Sequence, residues 1–359
     1  MRKKVSFLIG MGLTIVFASF ICGGSVQGEE KVIKWRAQSA WTKGPGHHEL
    51  AEYFANKVNE LTGGQLIIEK MYADGEIVGA FEAIPAVASR KLDLAHSSGF
   101  YLTGTLPWIS LIIGTQASYI TYPDEHIAWI FNAGGLEMYQ EYMKTKYDLI
   151  VIPTGIHASE PLWSRKSITK KEDFKGLRIR STGLNMAFYQ KLGAGVSTMP
   201  MGEVIPALER GALDAVEFCV PYTDYPASLH KVCKYALAGR NHLPTCMTFE
   251  VFINGESWRA LPDALRAKVR MAADLTMFRT IHYWNGFQAM VLTEKMIKEG
   301  VQINKISPEL QAWFNEVGDK MAEEYAAKDP WAKKILDSQK SFIEKYRKYQ
   351  GAIAPLFRD

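Results

Sequence analysis

One stretch of this sequence occurs twice. Residues 82–96 read EAIPAVASRKLDLAH and residues 203–217 read EVIPALERGALDAVE, a constant offset of 121 positions. Glu82/Glu203, Ile84/Ile205, Pro85/Pro206, Ala86/Ala207, Leu92/Leu213 and Asp93/Asp214 are identical pairs. Each copy reads as a helix, a turn and a strand. A unit repeated at this distance calls for two similar halves, each ending at a strand tip, with His96 and Glu217 at equivalent points. Ligands of open α/β sheets collect at such carboxyl ends, so the two tips can face one another across a cleft. Chance likeness between two ordinary helix–turn–strand units is the other reading, because Leu-Asp after a helix is common in α/β chains.

The surrounding pattern gives the fold class. Residues 32–37 alternate around Trp35 as a strand, residues 49–61 carry apolar groups at helical spacing, and Thr62-Gly63-Gly64 stops that helix. Residues 65–69 form a strand, 80–89 a helix and 92–96 another strand. This order predicts an α/β protein with a largely parallel sheet and helices on its faces. A chain of 359 residues, 47% hydrophobic, has room for about two domains. From Leu261-Pro262-Asp263 to Glu299 no internal proline occurs and only Gly286 interrupts. The segment predicts one helix of about 38 residues and about 57 Å, long enough to brace two lobes. Ser307-Pro308 starts a further helix, and Pro330 separates it from a last one ending near Tyr349.

The formal charge is +4, but Arg2, Lys3 and Lys4 supply three of those charges, and no acidic residue precedes Glu29. From Glu29 onward 39 basic residues face 38 acidic ones, which gives no pointer to nucleic acid. The basic start, the apolar run from Val5 to Cys22 and the small residues before Glu29 read as an export signal at 1–28, with Val26 and Gly28 at the cut. A retained membrane anchor and a lipoprotein at Cys22 are the alternatives. No later apolar run reaches the roughly 18 residues of a membrane span. Cys219, Cys233 and Cys246 read as buried thiols, since an odd number cannot all pair within one chain.

Gly176-Leu177-Arg178-Ile179-Arg180 alternates with period two, placing both arginines on one strand face. Ser181-Thr182-Gly183 then turns into a helix near Leu184. Arg180 thus stands at a strand's carboxyl end beside a helix start, where anions are favoured. A guanidinium there suits a carboxylate, through its planar bidentate donors and permanent charge; two surface arginines on an edge strand is the plainer alternative. No nucleophile-elbow, zinc-helix, phosphate-loop or dinucleotide fingerprint occurs. His47-His48 reads as solvated or capping, because adjacent residues do not share a helix face. His157, Ser159 and Glu160 do not define a catalytic triad by sequence alone. Trp35, Trp41, Tyr101, Trp108, Trp163, Phe218, Tyr222 and Tyr225 fall near predicted strand ends or loops; most serve packing, and two or three suit a pocket around a small solute.

Through nearly all of the chain after the leader, the sequence resembles the DctP-type solute-binding subunit of tripartite ATP-independent periplasmic (TRAP) transporters. The likeness rests on Leu66-Ile67-Ile68, Gly75-Glu76-Ile77-Val78, the Gly176–Arg180 segment and Arg210-Gly211-Ala212-Leu213-Asp214-Ala215. It is similar above all to the branch that binds 2-oxo acids and related monocarboxylates, through His96-Ser97-Ser98-Gly99-Phe100-Tyr101, residues 129–137 and Glu217-Phe218. The resemblance implies a two-lobed periplasmic binding protein fold with a long inter-lobe helix. Lobe I would hold 29–156 plus 246–285, and lobe II 157–245 plus 286–359 with the C-terminal helices. It places the carboxylate-binding arginine on Arg180. The cation ligands, for a sodium or calcium ion bridging to substrate, fall on the Glu217 side chain and the Phe218 carbonyl.

Two family positions depart from the pattern. Ser159, with Glu160 beside it, stands where a glutamine is expected, and the acidic ligand expected within 240–245 is missing from Arg240-Asn241-His242-Leu243-Pro244-Thr245. His242 or Thr245 is then expected at the ligand, with Tyr101 and Phe218 walling the cleft. The resemblance implies a periplasmic, non-enzymatic protein that hands a small carboxylate to the TRAP membrane permease subunits, with room for a homodimer. A binding protein of an ATP-driven importer, a secreted enzyme acting on small carboxylates and a sensor presenting its liganded form to a receptor are the competing readings.

Overall fold

A computed structural model describes residues 32–44, 46–114, 120, 123–157, 160–181, 183–199, 201–238 and 247–353. Thirteen strands are placed among them: β1 Ile33–Lys34, β2 Ala37–Ser39, β3 Leu66–Ile67, β4 Met71–Tyr72, β5 Leu94–Ser97, β6 Leu149–His157, β7 Leu162–Ser164, β8 Arg178–Arg180, β9 Gly195–Ser197, β10 Ala215–Glu217, β11 Tyr235–Ala238, β12 Met247–Asn254 and β13 Gln302–Lys305. Apart from the small β1–β3 pair, they form two sheets, ordered β4-β2-β5-β12-β6 and β13-β11-β7-β10-β8-β9.

The expected parallel arrangement holds for β4-β2-β5 and for β10-β8-β9. It fails where the chain changes sheets. β12 runs antiparallel to both β5 and β6, and β7 runs antiparallel to both β10 and β11. The reason is connectivity: β6 leads directly into β7, and β11 is followed in sequence by β12, so these strands serve as crossings rather than as members of strand–helix–strand repeats. The expected strand over 32–37 is two short strands. Trp35 and Arg36 separate them, and the chain passes from pairing with β3 to pairing with β5.

The repeated unit is present in three dimensions. Helices Ala83–Ala88 and Met201–Glu209 precede β5 and β10. After each, the chain turns through a left-handed residue, Arg90 at φ 61° and Gly211 at φ 71°, again 121 positions apart. The turns close alike: Leu92 N donates to Ala86 O, and Leu213 N to Ala207 O. Asp93 and Asp214 then perform the same task. The Asp93 carboxylate accepts from Arg36 N at 2.8 Å while its own N–H donates to Arg36 O. The Asp214 carboxylate accepts from Arg178 N at 3.1 Å while its N–H donates to Arg178 O. Each aspartate thereby clamps the neighbouring parallel strand at its start, which explains why Leu-Asp recurs in register.

The long helix is continuous from Asp263 to Met296, about 50 Å, but not uniform. Thr280–Trp284 and Val291–Met296 are π-helical, and the ordered run ends short of Glu299. Leu265, Val269, Ala272 and Ala273 pack with Trp35, Phe54 and Val251 of the first sheet's core. Val291 and Met296 pack with Trp163, Val216 and Ala236 of the second. One helix therefore braces both sheets. The C-terminal helices Pro308–Ala326 and Pro330–Ile353 complete a core that includes Trp129, Phe174, Ile179 and Phe252. Among the described residues no helix is long and apolar enough to cross a membrane.

Candidate functional site

The tips of β8 and β10 carry the charged groups. Arg178 and Arg180, indistinguishable by pattern, separate cleanly. Arg178 is bidentate to Asp214, at 2.8 Å from Nε and 2.9 Å from Nη2, and that guanidinium holds the Asp214 carboxyl well below its usual range. Arg178 belongs to the strand clamp. Arg180 is buried, 7% exposed, and among the described residues its hydrogen bonds go to carbonyl oxygens: Nε and Nη2 donate to Met199 O, and Nη1 donates to Glu217 O at 3.0 Å. Burial pulls its pKa down, and the negative charges of Glu217 and Glu160 oppose that pull.

Glu217 ends β10 and is buried, with its carboxylate accepting from Ser181 Oγ at 2.5 Å and from Asn185 Nδ2. These donors come from the turn and the helix Gly183–Lys191 that follow Arg180, so one local segment supplies both the guanidinium and the groups that orient its acidic neighbour. Burial, and then the charge of Glu160, push the Glu217 pKa up to about 8 against those hydrogen bonds. Glu160, just before β7, is itself buried. Ser159, expected at the ligand from the family pattern, lies outside the described residues, as do His242, Thr245 and Cys246. Glu160, Ser181 and Asn185 went unpredicted as site residues. Glu160 had one signal in the sequence, its place beside a departure from the family pattern.

The tip of β5 faces this charged end with aromatic groups. Trp41, Cys219, Val220, Met247, Phe249 and Trp284 share one buried cluster, with Tyr101 and Phe218 packed on it. Tyr101 donates its hydroxyl to Ala40 O at 3.2 Å and lies 5.6 Å from the Trp41 ring. Burial raises its pKa, and Arg180 is among the charges that act on it. His47 corrects the expectation of a solvated pair. Its ring stacks on Trp41 at 4.6 Å and meets Phe249 and Trp284 edge-on, and its Nε2 is 3.7 Å from Cys219 Sγ. His48 is buried against Ser39 Oγ at 2.8 Å. Aromatic surroundings decide the place of His47, and polar partners, Ser39 Oγ and the Glu52 carboxylate one turn on at 3.4 Å, that of His48. Cys219 and Cys233 are free and buried, as expected for structural thiols.

Among the described residues no group of three or more His, Cys, Asp or Glu side chains is placed to hold a metal. The buried pair Glu160 and Glu217, which act on one another electrostatically, is a partial donor set. It fits a cation only if the ligand's own oxygens complete the shell, which suits the charge balance of two buried carboxylates beside one guanidinium.

The chain matches the family model of DctP, the bacterial extracellular solute-binding protein family 7, over residues 37–329. A curated relative from Nostoc, a monocarboxylate 2-oxoacid-binding periplasmic protein, is 29% identical over 89% of this chain and 86% of its own length. A TRAP transporter solute-binding protein from Bordetella bronchiseptica, solved as a dimer with calcium and picolinate, superposes with a TM-score of 0.83 at 25% identity, covering 90% of this chain and 95% of that one. Another from Pseudoalteromonas atlantica, solved with sodium and pyruvate, gives 0.80 at 25% identity, over 90% and 97%. With the strand clamps, the buried guanidinium and the bracing helix described above, this chain belongs to the bacterial extracellular solute-binding protein family 7, the DctP family of TRAP solute-binding proteins.

Proposed function

We propose that this protein captures an organic acid anion, of the 2-oxo acid, 2-hydroxy acid or related carboxylate class, and delivers it to the membrane subunits of a TRAP transporter. Arg180 carries the reading. A guanidinium oriented by backbone carbonyls and buried close to Tyr101 suits a planar carboxylate, and the interaction strengthens as water is excluded. Tyr101 and Phe218 wall the space, and Glu217 orients a cation or a ligand hydroxyl. A sodium or calcium ion, as in the relatives solved with pyruvate or picolinate, would bridge Glu217 and the Phe218 carbonyl to ligand oxygens. Lobe I is taken as 29–156 plus 246–285 and lobe II as 157–245 plus 286–359. Residues 1–28 are read as the export signal that brings the chain to the periplasm.

An exposed stripe on the long helix supports a homodimer. Met271, Leu275, Phe278 and Met290 on it, and Ile297 just past its end, all stand in solvent, Phe278 at 61% exposure, and one relative is a dimer. Light scattering of the purified protein tests it.

The decisive experiment is a thermal-shift screen of 2-oxo acids, 2-hydroxy acids, dicarboxylates and aromatic acids, with and without calcium or sodium. A ligand that binds only the folded chain raises Tm. Stabilisation by a carboxylate supports the proposal, and retained affinity of Arg180→Ala for every acid tested would sink it. Recovery of intact ligand after denaturation supports transport, whereas turnover supports an enzyme.

A further inference from the structure

The strand tip equivalent to Glu217 is occupied by His96, which is fully buried. Trp41 Nε1 lies 3.0 Å from His96 Nδ1, His96 Nε2 lies 3.1 Å from Thr154 Oγ1, and Thr154 Oγ1 lies 3.1 Å from Phe249 O. The two ends fix the direction of this chain. An indole N–H can only donate and a carbonyl can only accept. His96 Nδ1 therefore accepts, Nε2 carries the proton and donates, and the Thr154 hydroxyl passes the polarity on to Phe249. Burial drives the His96 pKa down to about 3, so the imidazole is neutral across the physiological range.

Both ends of this relay belong to the aromatic cluster at the site. The Trp41 ring is gripped from the other sides by His47 at 4.6 Å and Tyr101 at 5.6 Å. An aromatic contact alone lets the indole tilt or flip, whereas a hydrogen bond to a buried acceptor fixes its plane and its edge. From this geometry we infer that His96 is a positioning residue: through Trp41 it sets the aromatic wall opposite Arg180, and thereby how large a carbon skeleton the site accepts beside the carboxylate. The inference rests on the carboxylate-binding reading above. It assigns selectivity to the β5 tip and anion capture to the β8 and β10 tips. Freeing the indole opens the wall to bulkier side chains without touching Arg180.

The test is calorimetric titration of wild-type protein, His96→Leu, His96→Asn, Trp41→Phe and the double variant His96→Leu with Trp41→Phe, using pyruvate and branched and aromatic 2-oxo acids, alongside Tm. The ratio of pyruvate affinity to branched 2-oxo acid affinity is expected to fall about tenfold or more in His96→Leu and Trp41→Phe, the scale of pocket-size discrimination. The double variant should fall no further, since both changes break one link. His96→Asn, which retains an acceptor for the indole, should keep most of the selectivity. A loss of affinity equal for all acids, tracking lowered Tm, overturns the proposal, because a purely structural histidine behaves that way. A ligand-independent arm uses the ring nitrogen resonances of His96, with Trp41→Phe assigning the indole N–H. An unprotonated Nδ1 and a protonated Nε2 support the relay; the opposite tautomer overturns it. If wild type binds none of the acids, the carboxylate reading fails while the resonances still decide the relay. If His96→Leu does not fold, Trp41→Phe and the resonances decide.

Discussion

The two halves of the repeat share a frame and differ in chemistry. In both, a helix with an internal Ile-Pro-Ala start leads through a left-handed turn to an aspartate that clamps the adjacent parallel strand. Two residues beyond the clamped position stand Gln38 in the first half and Arg180 in the second. Gln38 is buried and satisfied by neutral partners, donating to Val78 O and accepting from Ile77 N and Val78 N. Arg180 is buried with its charge directed at carbonyls. At the strand tips, neutral His96 stands against acidic Glu217. The frame is fixed by main-chain hydrogen bonds and the two aspartate clamps, so the tips are free to diverge, one carrying a neutral histidine and the other a buried carboxyl beside a guanidinium.

The largest effect should come from the charged half. Arg180→Ala is expected to lower carboxylate affinity by about a hundredfold or more, the range for losing one partner of a buried charge pair, read by calorimetry. Arg180→Lys should recover little of it, because an ammonium lacks the planar fork. Gln38→Ala should leave carboxylate affinity close to wild type while lowering Tm; an equal loss of affinity in both variants would erase the functional distinction between the halves.

The clamps come next. Asp214→Ala breaks a bidentate arginine pair, a Lys166 contact at 2.9 Å and a backbone hydrogen bond, and should cost about 2–3 kcal/mol. Asp93→Ala, which loses Arg36 N and Ser257 Oγ, should cost about 1–2 kcal/mol. Denaturant titration measures both. If Asp93 proves the costlier, the second half is not the more tightly clamped.

Titration offers a third comparison. Glu250, on β12 in the first sheet, accepts from Gly99 N and Thr248 Oγ1, and burial raises its pKa to about 8. Between about 4.5 and 8 the folded state binds more protons at Glu250 than the unfolded chain, so stability falls as pH rises. Glu217 acts in the same direction. His96, lowered to about 3, acts oppositely: stability falls as pH drops from about 6.5 toward 3. Glu250→Gln should flatten the decline in Tm between pH 5 and 8 by a few degrees, followed by calorimetry across pH; an unchanged slope would show that Glu250 ionises normally.

The smallest effect lies in the turns. Arg90 pays strain at φ 61° that Gly211 avoids at φ 71°. Arg90→Gly should gain and Gly211→Ala should lose about 0.5–1 kcal/mol, the latter also pressing its Cβ to 3.1 Å from Arg165 Nη1. Equal and negligible shifts would mean the two turns are not matched.

Much of the frame was legible in the sequence because it depends on local rules. The helix–turn–strand repeat, the alternating Gly176–Arg180 segment and the proline-free run after Pro262 each state their structure within a few residues. The antiparallel crossings were not legible, since nothing local to residues 149–157 or 247–254 says which distant strand they meet. The same limit hid Glu160, which acts on Glu217 from a distant segment, and it hid that Ser181 and Asn185, local to Arg180, meet Glu217; it also left the solvated or capping reading of His47 and His48 at odds with their packing. The sequence by itself determined two similar halves, a bracing helix and a basic group at a strand tip, because periodicity, turn residues and end signals act over short range. Only the tertiary structure decided that Arg178 is taken up in a clamp while Arg180 is buried against carbonyl oxygens, and that one tip is an acid while its twin is a buried neutral imidazole. Those outcomes depend on burial and on partners far away in sequence, and desolvation acts on a group only after the chain has closed around it.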